Sequence, residues 1–148
     1  MSTLRMNNIL VQEDSSGLVV GTWPPAPELV ILRTRRPNVL ITGTHDTAEA
    51  AVVALLPYLQ PPVHCWNPDA SLPTPHDVRT VLIRDVATLS VEQQHALSSW
   101  LAQAGPDHAQ IVSTTALPLF ALIKQGVFLE ELYYRLNTLR LDAPAPMA

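Results

Sequence analysis

A chain of 148 residues in which 47% of side chains are apolar and 15% charged is too apolar to be a disordered tail, and it can bury about two-thirds of its unfolded surface in one core. Its formal charge of −4 excludes a general attraction to nucleic acid, and the one basic cluster, Arg33, Arg35 and Arg36, reads as solvated charge beside a strand. The longest apolar runs fall far short of the ~20 residues of a membrane span, the N-terminus has no signal pattern, and the single Cys65 cannot form an internal disulfide, so a cytoplasmic protein without membrane contact is expected.

In chain order, residues 1–16 are polar and irregular, and are expected to be loosely held or to add a peripheral strand through Asn8 and Val11. Leu18, Val19 and Val20 precede the turn Trp23-Pro24-Pro25-Ala26-Pro27, after which a short helix is predicted over 27–33. Residues 39–42, Val-Leu-Ile-Thr, form a β-branched run that reads as a strand buried on both faces and ended by Gly43. Asp46 and Glu49 have the spacing of a capping box, which starts a helix whose residues 48–56 are apolar nearly all round.

Residues 62–66 make a second apolar run, and 67–77, rich in Pro, Ser, Thr and Asp, a loop. Thr80 to Ile83 is a third strand, closed by Arg84 and Asp85. Ser90 and Gln93 form another capping box; Leu97, Trp100, Leu101 and Ala104 then follow the spacing of an amphipathic helix, which Gly105 and Pro106 stop. A strand over 110–114, a helix over 118–125 ended by Gly126, a helix over 128–136 with Phe128, Leu132 and Leu136 on one face, and a strand over 138–141 complete the pattern. The alternation predicts a three-layer αβα sandwich on a mostly parallel five-stranded sheet, with one domain over 17–142 and a flexible tail over 143–148.

Ligands of such sheets lie beyond the carboxyl ends of the strands, which singles out residues 42–47, Arg84 with Asp85, and 114–116. The turn after the first core strand has the grammar of a phosphate loop, GxxxxGK followed by Ser or Thr, and lacks its chemistry. Gly43 matches the first glycine; Thr47 precedes Ala48, Glu49 and Ala50, which fill the last three places, so a carboxylate stands where the lysine is needed. Asp46 and Glu49 supply anions to the helix start in cis, and a triphosphate would meet like charge there.

His45, His64, Cys65, His76, His95 and His108 have no paired metal-ligand spacing, and no metal is expected. Trp23, Trp66 and Trp100 are scattered, as packing residues are. A receiver-like phosphorylation switch is a further reading, with Asp85 as phospho-acceptor, Asp46 as metal acid and Thr114 or Thr115 as switch hydroxyl.

The string 126–137, GVFLEELYYRLN, resembles the GxFRxDLYYRLN signature of the AAA+ central domain in bacterial enhancer-binding activators of sigma-54 RNA polymerase. The order and spacing fit over about 17–142: PPVHCWNP looks like the second strand, RTVLIRDV like Walker B, LSVEQQHALSSWLAQAG like the helix after it, and IVSTTALPLFALIKQG like the sensor-one strand and helix.

The resemblance implies a P-loop-NTPase-like sheet and a degenerate site. Glu49 stands at the Walker A lysine, Arg84 and Asp85 at the Walker B Asp-Glu pair, and Ala116 at the sensor-one asparagine. Leu129 replaces the first trans-acting arginine, and Arg135 keeps the second. The family's long GAFTGA-bearing insertion corresponds here to residues 67–78, and neither a helical lid nor DNA-binding helices are expected. The implied protein is a non-hydrolysing interaction module of transcription regulation that binds neither ATP with magnesium nor DNA directly. It would dock on an intact AAA+ activator or on itself through Leu129, Tyr133, Tyr134, Arg135 and Asn137. The alternative is a weak ATP-binding regulator domain.

Overall fold

The computed structural model describes residues 23–104 and 109–144, together with the backbone of three short strands nearer the N-terminus. Those strands, β1 (Leu4–Arg5), β2 (Leu10–Glu13) and β3 (Val19–Val20), form an antiparallel sheet in the order β1-β2-β3. The peripheral strand expected at 8–11 is thus β2, displaced towards Glu13. Asn8, the Gly105-Pro106 stop, His108 and residues 145–148 lie outside the described residues.

The main sheet is built from β4 (Val39–Thr42), β5 (Val63–Cys65), β6 (Thr80–Ile83), β7 (Gln110–Thr115) and β8 (Leu139–Asp142). Every pairing is parallel and the order is β5-β6-β7-β4-β8. β6 and β7 are buried at every position, as strands covered on both faces must be; β6 is an apolar and β-branched run, whereas β7 also buries Gln110 and Ser113, whose side chains donate to the Pro37 and Val39 carbonyls. On one face α1 (Ala26–Thr34) and α2 (His45–Leu55) enclose Leu32, Val39, Ile41, Val52 and Leu55. On the other, α3 (Val91–Ala104), α4 (Leu119–Lys124) and α5 (Glu130–Leu136) enclose Val81, Ile83, Leu97, Ile111, Leu132 and Leu136. Each fully buried Leu or Ile contributes about 1.5–3 kcal/mol, so the two layers together hold the sheet.

This order overturns the receiver-like reading. A receiver sheet runs 2-1-3-4-5, with its first strand beside the second and third. Here the first core strand, β4, lies between β7 and β8, remote from β5. Strand β7 separates it from β6, so Asp46 and Asp85 do not follow neighbouring strands as a receiver's acids do.

Two helix boundaries differ from the sequence reading. α2 starts at His45 with Thr44 as its cap; the Thr44 hydroxyl accepts from the Thr47 amide at 3.2 Å. Asp46 therefore sits inside the first turn, and Asp46 and Glu49 make no capping box. α5 starts at Glu130, because Gln94 captures the preceding backbone: its Oε1 accepts from the Leu129 amide at 2.8 Å and its Nε2 donates to the Val127 carbonyl at 3.0 Å. The second capping box is realised in full, with Gln93 N donating to Ser90 Oγ (3.1 Å) and Ser90 N to Gln93 Oε1 (2.8 Å). α4 ends as its sequence predicts: Gly126 has φ +78°, and the Gly126 and Val127 amides donate back to Ile123 and Leu122.

Candidate functional site

The register aligns Thr42 with Thr115 and Asp142, and the strand ends beyond them form one rim. Gly43 follows β4 on this rim. A Cβ there would lie 2.7 Å from Thr47 Oγ1 and 2.8 Å from the Ala143 methyl, so the close approach of the α2 start and of the chain after β8 requires glycine.

The turn that would have to wrap a phosphate is helical. Thr47 N donates to Thr44 Oγ1 and Ala48 N to the Thr44 carbonyl at 2.8 Å, so these two backbone donors are committed within the chain. Ala48 is buried against the sheet, and Thr47 Oγ1 lies 2.9 Å from Thr44 Oγ1.

Glu49, one turn into α2, reaches across to Arg84 at the end of β6, with 2.5 Å between Arg84 Nε and Glu49 Oε1. That hydrogen bond raises the Arg84 pKa above its ordinary value; burial opposes the shift, and Cys65 at the end of β5 adds to it. Asp85 adopts φ +52°, rare for a residue with a side chain, and its amide donates to Thr114 Oγ1 at 2.9 Å. Its carboxylate lies 3.9 Å from His45 Nδ1. Ala116 follows β7 as an exposed methyl, and beside it Thr115 Oγ1 is occupied by the Leu117 amide and carbonyl. The structure therefore gathers Gly43, Thr47, Ala48, Glu49, Arg84, Asp85 and Ala116 on one rim. There Glu49 and Arg84 form an ion pair with each other.

The α5 residues form a second cluster. Tyr134 is 59% exposed and meets the Tyr133 ring edge-on at 5.3 Å. Arg135 pairs with Glu131 at 3.2 Å, one turn back. Asn137 donates to the Tyr133 hydroxyl at 3.1 Å and leaves its buried Oδ1 without a partner. Leu129 is the half-buried residue before the helix. Tyr133 links the two clusters, because it lines a cavity of about 100 Å³ with Thr42, Thr115, Phe120 and Arg140.

Sequence reasoning missed Asn38 and Gln94. Asn38 is buried, accepts from Ile111 N at 2.9 Å and donates to the Arg135 carbonyl at 2.8 Å, tying β4, β7 and α5 together. The signal for Gln94 was its place in the stripe Gln94, Leu97, Leu101, where an apolar residue would ordinarily stand. Among the described residues, no group of three or more His, Cys, Asp or Glu could hold a metal, and no helix is long and apolar enough to cross a membrane.

A family model described as "Sigma-54 interaction domain" matches residues 28–145. The chain belongs to the sigma-54 interaction domain family. Among solved structures it is similar to NtrX from Brucella abortus in complex with ATP, at 20% identity and TM-score 0.63, covering 80% of this chain and 34% of that one. It is also similar to the P-loop NTPase domain of a sigma-54 transport activator from E. coli, at 17% identity and TM-score 0.58, covering 82% of this chain and 92% of that one. At these identities the likeness establishes the P-loop-NTPase-like fold, and the chain spans about a third of the length of the NtrX structures it matches. No curated protein matches the chain.

Proposed function

We propose that this sigma-54 interaction domain does not hydrolyse nucleotide, and that it acts as a protein-interaction module in transcription regulation. The observation that carries the reading is the Glu49–Arg84 ion pair, formed between the Walker A lysine position and the first Walker B acid position. A magnesium-bound triphosphate needs a cation at the first place and a carboxylate at the second; this chain has the reverse, and the two side chains neutralise each other. NtrX binds ATP in the structure described above, but Glu49, Arg84 and the helical turn from His45 do not fit that ligand here. The domain responsible is assigned to residues 17–142.

The partner proposed is an intact AAA+ activator, and the docking surface is the α5 cluster of Leu129, Tyr133, Tyr134, Arg135 and Asn137. Exposed apolar groups beside it support this reading: Leu117, Phe120 and Val127 stand out from α4 and its flanks. Docking there would place Arg135 at a subunit boundary without a catalytic partner on this chain.

Two measurements test the proposal. Titration with a fluorescent ATP analogue and magnesium should show no saturable binding. Glu49→Lys alone should not create it, since Arg84 still occupies the magnesium-carboxylate place. Micromolar binding by the wild-type chain would overturn the non-catalytic reading. Sedimentation with sigma-54 activators from the same cell should show a complex that Tyr134→Ala weakens; free sedimentation of both proteins, or self-association alone, would overturn the assigned partner.

A further inference from the structure

The face carrying α1 and α2 ends, at the amino ends of the strands, in an open cleft of about 450 Å³. It lies between the last turn of α1 and the turn after α2, at the opposite end of the sheet from Glu49 and Arg84. Arg33, Arg36, Tyr58 and Gln60 line it together with Pro57 and Pro61, and no carboxylate does.

Charge pairing sets this end of the molecule apart. Arg84, Arg135 and Arg140 each hold a carboxylate. Arg33, Arg35, Arg36 and Arg79 pair with none among the described residues. Arg36 adopts φ +50°, in the left-handed region that favours glycine. Its Nη2 donates to the Arg79 carbonyl at 3.3 Å, a bond that joins the approach to β4 with the approach to β6 and positions the guanidinium at the cleft.

Exposed apolar side chains stand on both helices within about a turn, along the chain, of residues that line the cleft. Val30 lies one turn before Arg33 on α1, and Val53 and Leu56 lie in and just past the last turn of α2, directly before Pro57; all three are exposed. A small anion would leave these shoulders uncovered, and a nucleic-acid backbone would meet apolar rather than basic flanks and a molecule of net charge −4.

We infer that this cleft docks an extended segment of a partner protein in which acidic residues alternate with apolar ones. Carboxylates of the segment engage the Arg33 and Arg36 guanidinium forks, and its apolar side chains cover Val30, Val53 and Leu56. The surface is on the sheet face opposite α5 and is independent of the activator-docking reading, so the two can be occupied together.

Selection of displayed random peptides of about 12 residues on the full chain tests this, with Arg33→Gln/Arg36→Gly as the counter-selected variant. The variant loses the exposed bond to the Arg79 carbonyl, and glycine's ease at the positive φ of position 36 offsets that loss, so it is expected to melt within a few degrees of the wild type and to keep its α5-mediated contacts. Enriched peptides should combine Asp or Glu with apolar residues. A fluorescein-labelled copy should bind the wild-type chain at least about tenfold more tightly than the variant, with affinity that falls as salt rises. No enrichment, enrichment of peptides without acids, or equal binding by the variant would overturn the inference. It would also be overturned by binding of a short single-stranded oligonucleotide or of phosphatidylserine vesicles that depends on Arg33 and Arg36 and that the peptides do not displace.

Discussion

Glu49 and Arg84 come from different layers of the sandwich and close the rim of the sheet with a single ion pair whose side chains are 34% and 41% exposed. Solvent screens a pair this accessible, so it is worth about 0.2–1 kcal/mol rather than the larger value of a buried pair. Glu49→Gln and Arg84→Gln should each lower stability by no more than about 1 kcal/mol, and the exchange Glu49→Arg/Arg84→Glu should recover most of the loss. Urea denaturation in low and high salt measures the coupling, which should shrink as salt rises.

The start of α2 gives a cleaner discrimination. Thr44 supplies the cap and Asp46 does not. Thr44→Ala should cost about 1 kcal/mol, whereas Asp46→Ala should cost only the few tenths that a first-turn acid contributes through the helix dipole. Equal losses in paired thermal melts would move the cap back to Asp46.

Acid should act on the far end of β8. The Thr42 hydroxyl, 2.5 Å from Asp142 Oδ1, holds that carboxyl below its ordinary pKa; Arg140 helps, and burial opposes the shift. A depressed folded-state pKa stabilises the protein above the unfolded value of about 3.9 and ceases to do so as pH falls through the folded value. The contribution is small because Asp142 is exposed. A carboxyl NMR titration should place its midpoint below that of an ordinary aspartate, and Thr42→Val should move it upward.

Asn38 is the polar joint of the core. Its truncation to alanine leaves the Ile111 amide and the Arg135 carbonyl without their partners, which costs about 1–3 kcal/mol for a buried group. Hydrogen exchange should report the change first at Ile111, inside β7. If global stability falls while that amide keeps its protection, Asn38 acts by packing instead.

The layers, the parallel sheet and the position of the rim were legible in the sequence, because the buried strands leave short runs dominated by apolar and β-branched residues and Ser90 with Gln93 marks a helix start through two reciprocal hydrogen bonds. The start of α2 was not. Thr44, Asp46 and Thr47 are all capable of local side-chain bonds, and only the backbone path fixed by Gly43 beneath Thr47 and Ala143 selects Thr44. The resemblance placed Glu49 and Arg84 at one site, but their direct pairing was not read, since no local pattern shows that side chains 35 positions apart meet. Gln94 lay in plain view as a polar residue in an apolar stripe, but its partners, Val127 and Leu129, belong to the turn before α5.

Residues 67–77, where proline, serine and threonine would suggest a slack surface loop, are fastened at three of their carbonyls. Trp66 Nε1 donates to Ala70 at 2.9 Å, Gln93 Nε2 to Pro68 at 3.1 Å and Trp100 Nε1 to Pro73 at 2.7 Å. A protease must draw a length of backbone away from the body before it can cleave. At this loop, such a movement would strip partners from two largely buried indoles, so cleavage within a stretch whose composition looks open to digestion carries that added cost.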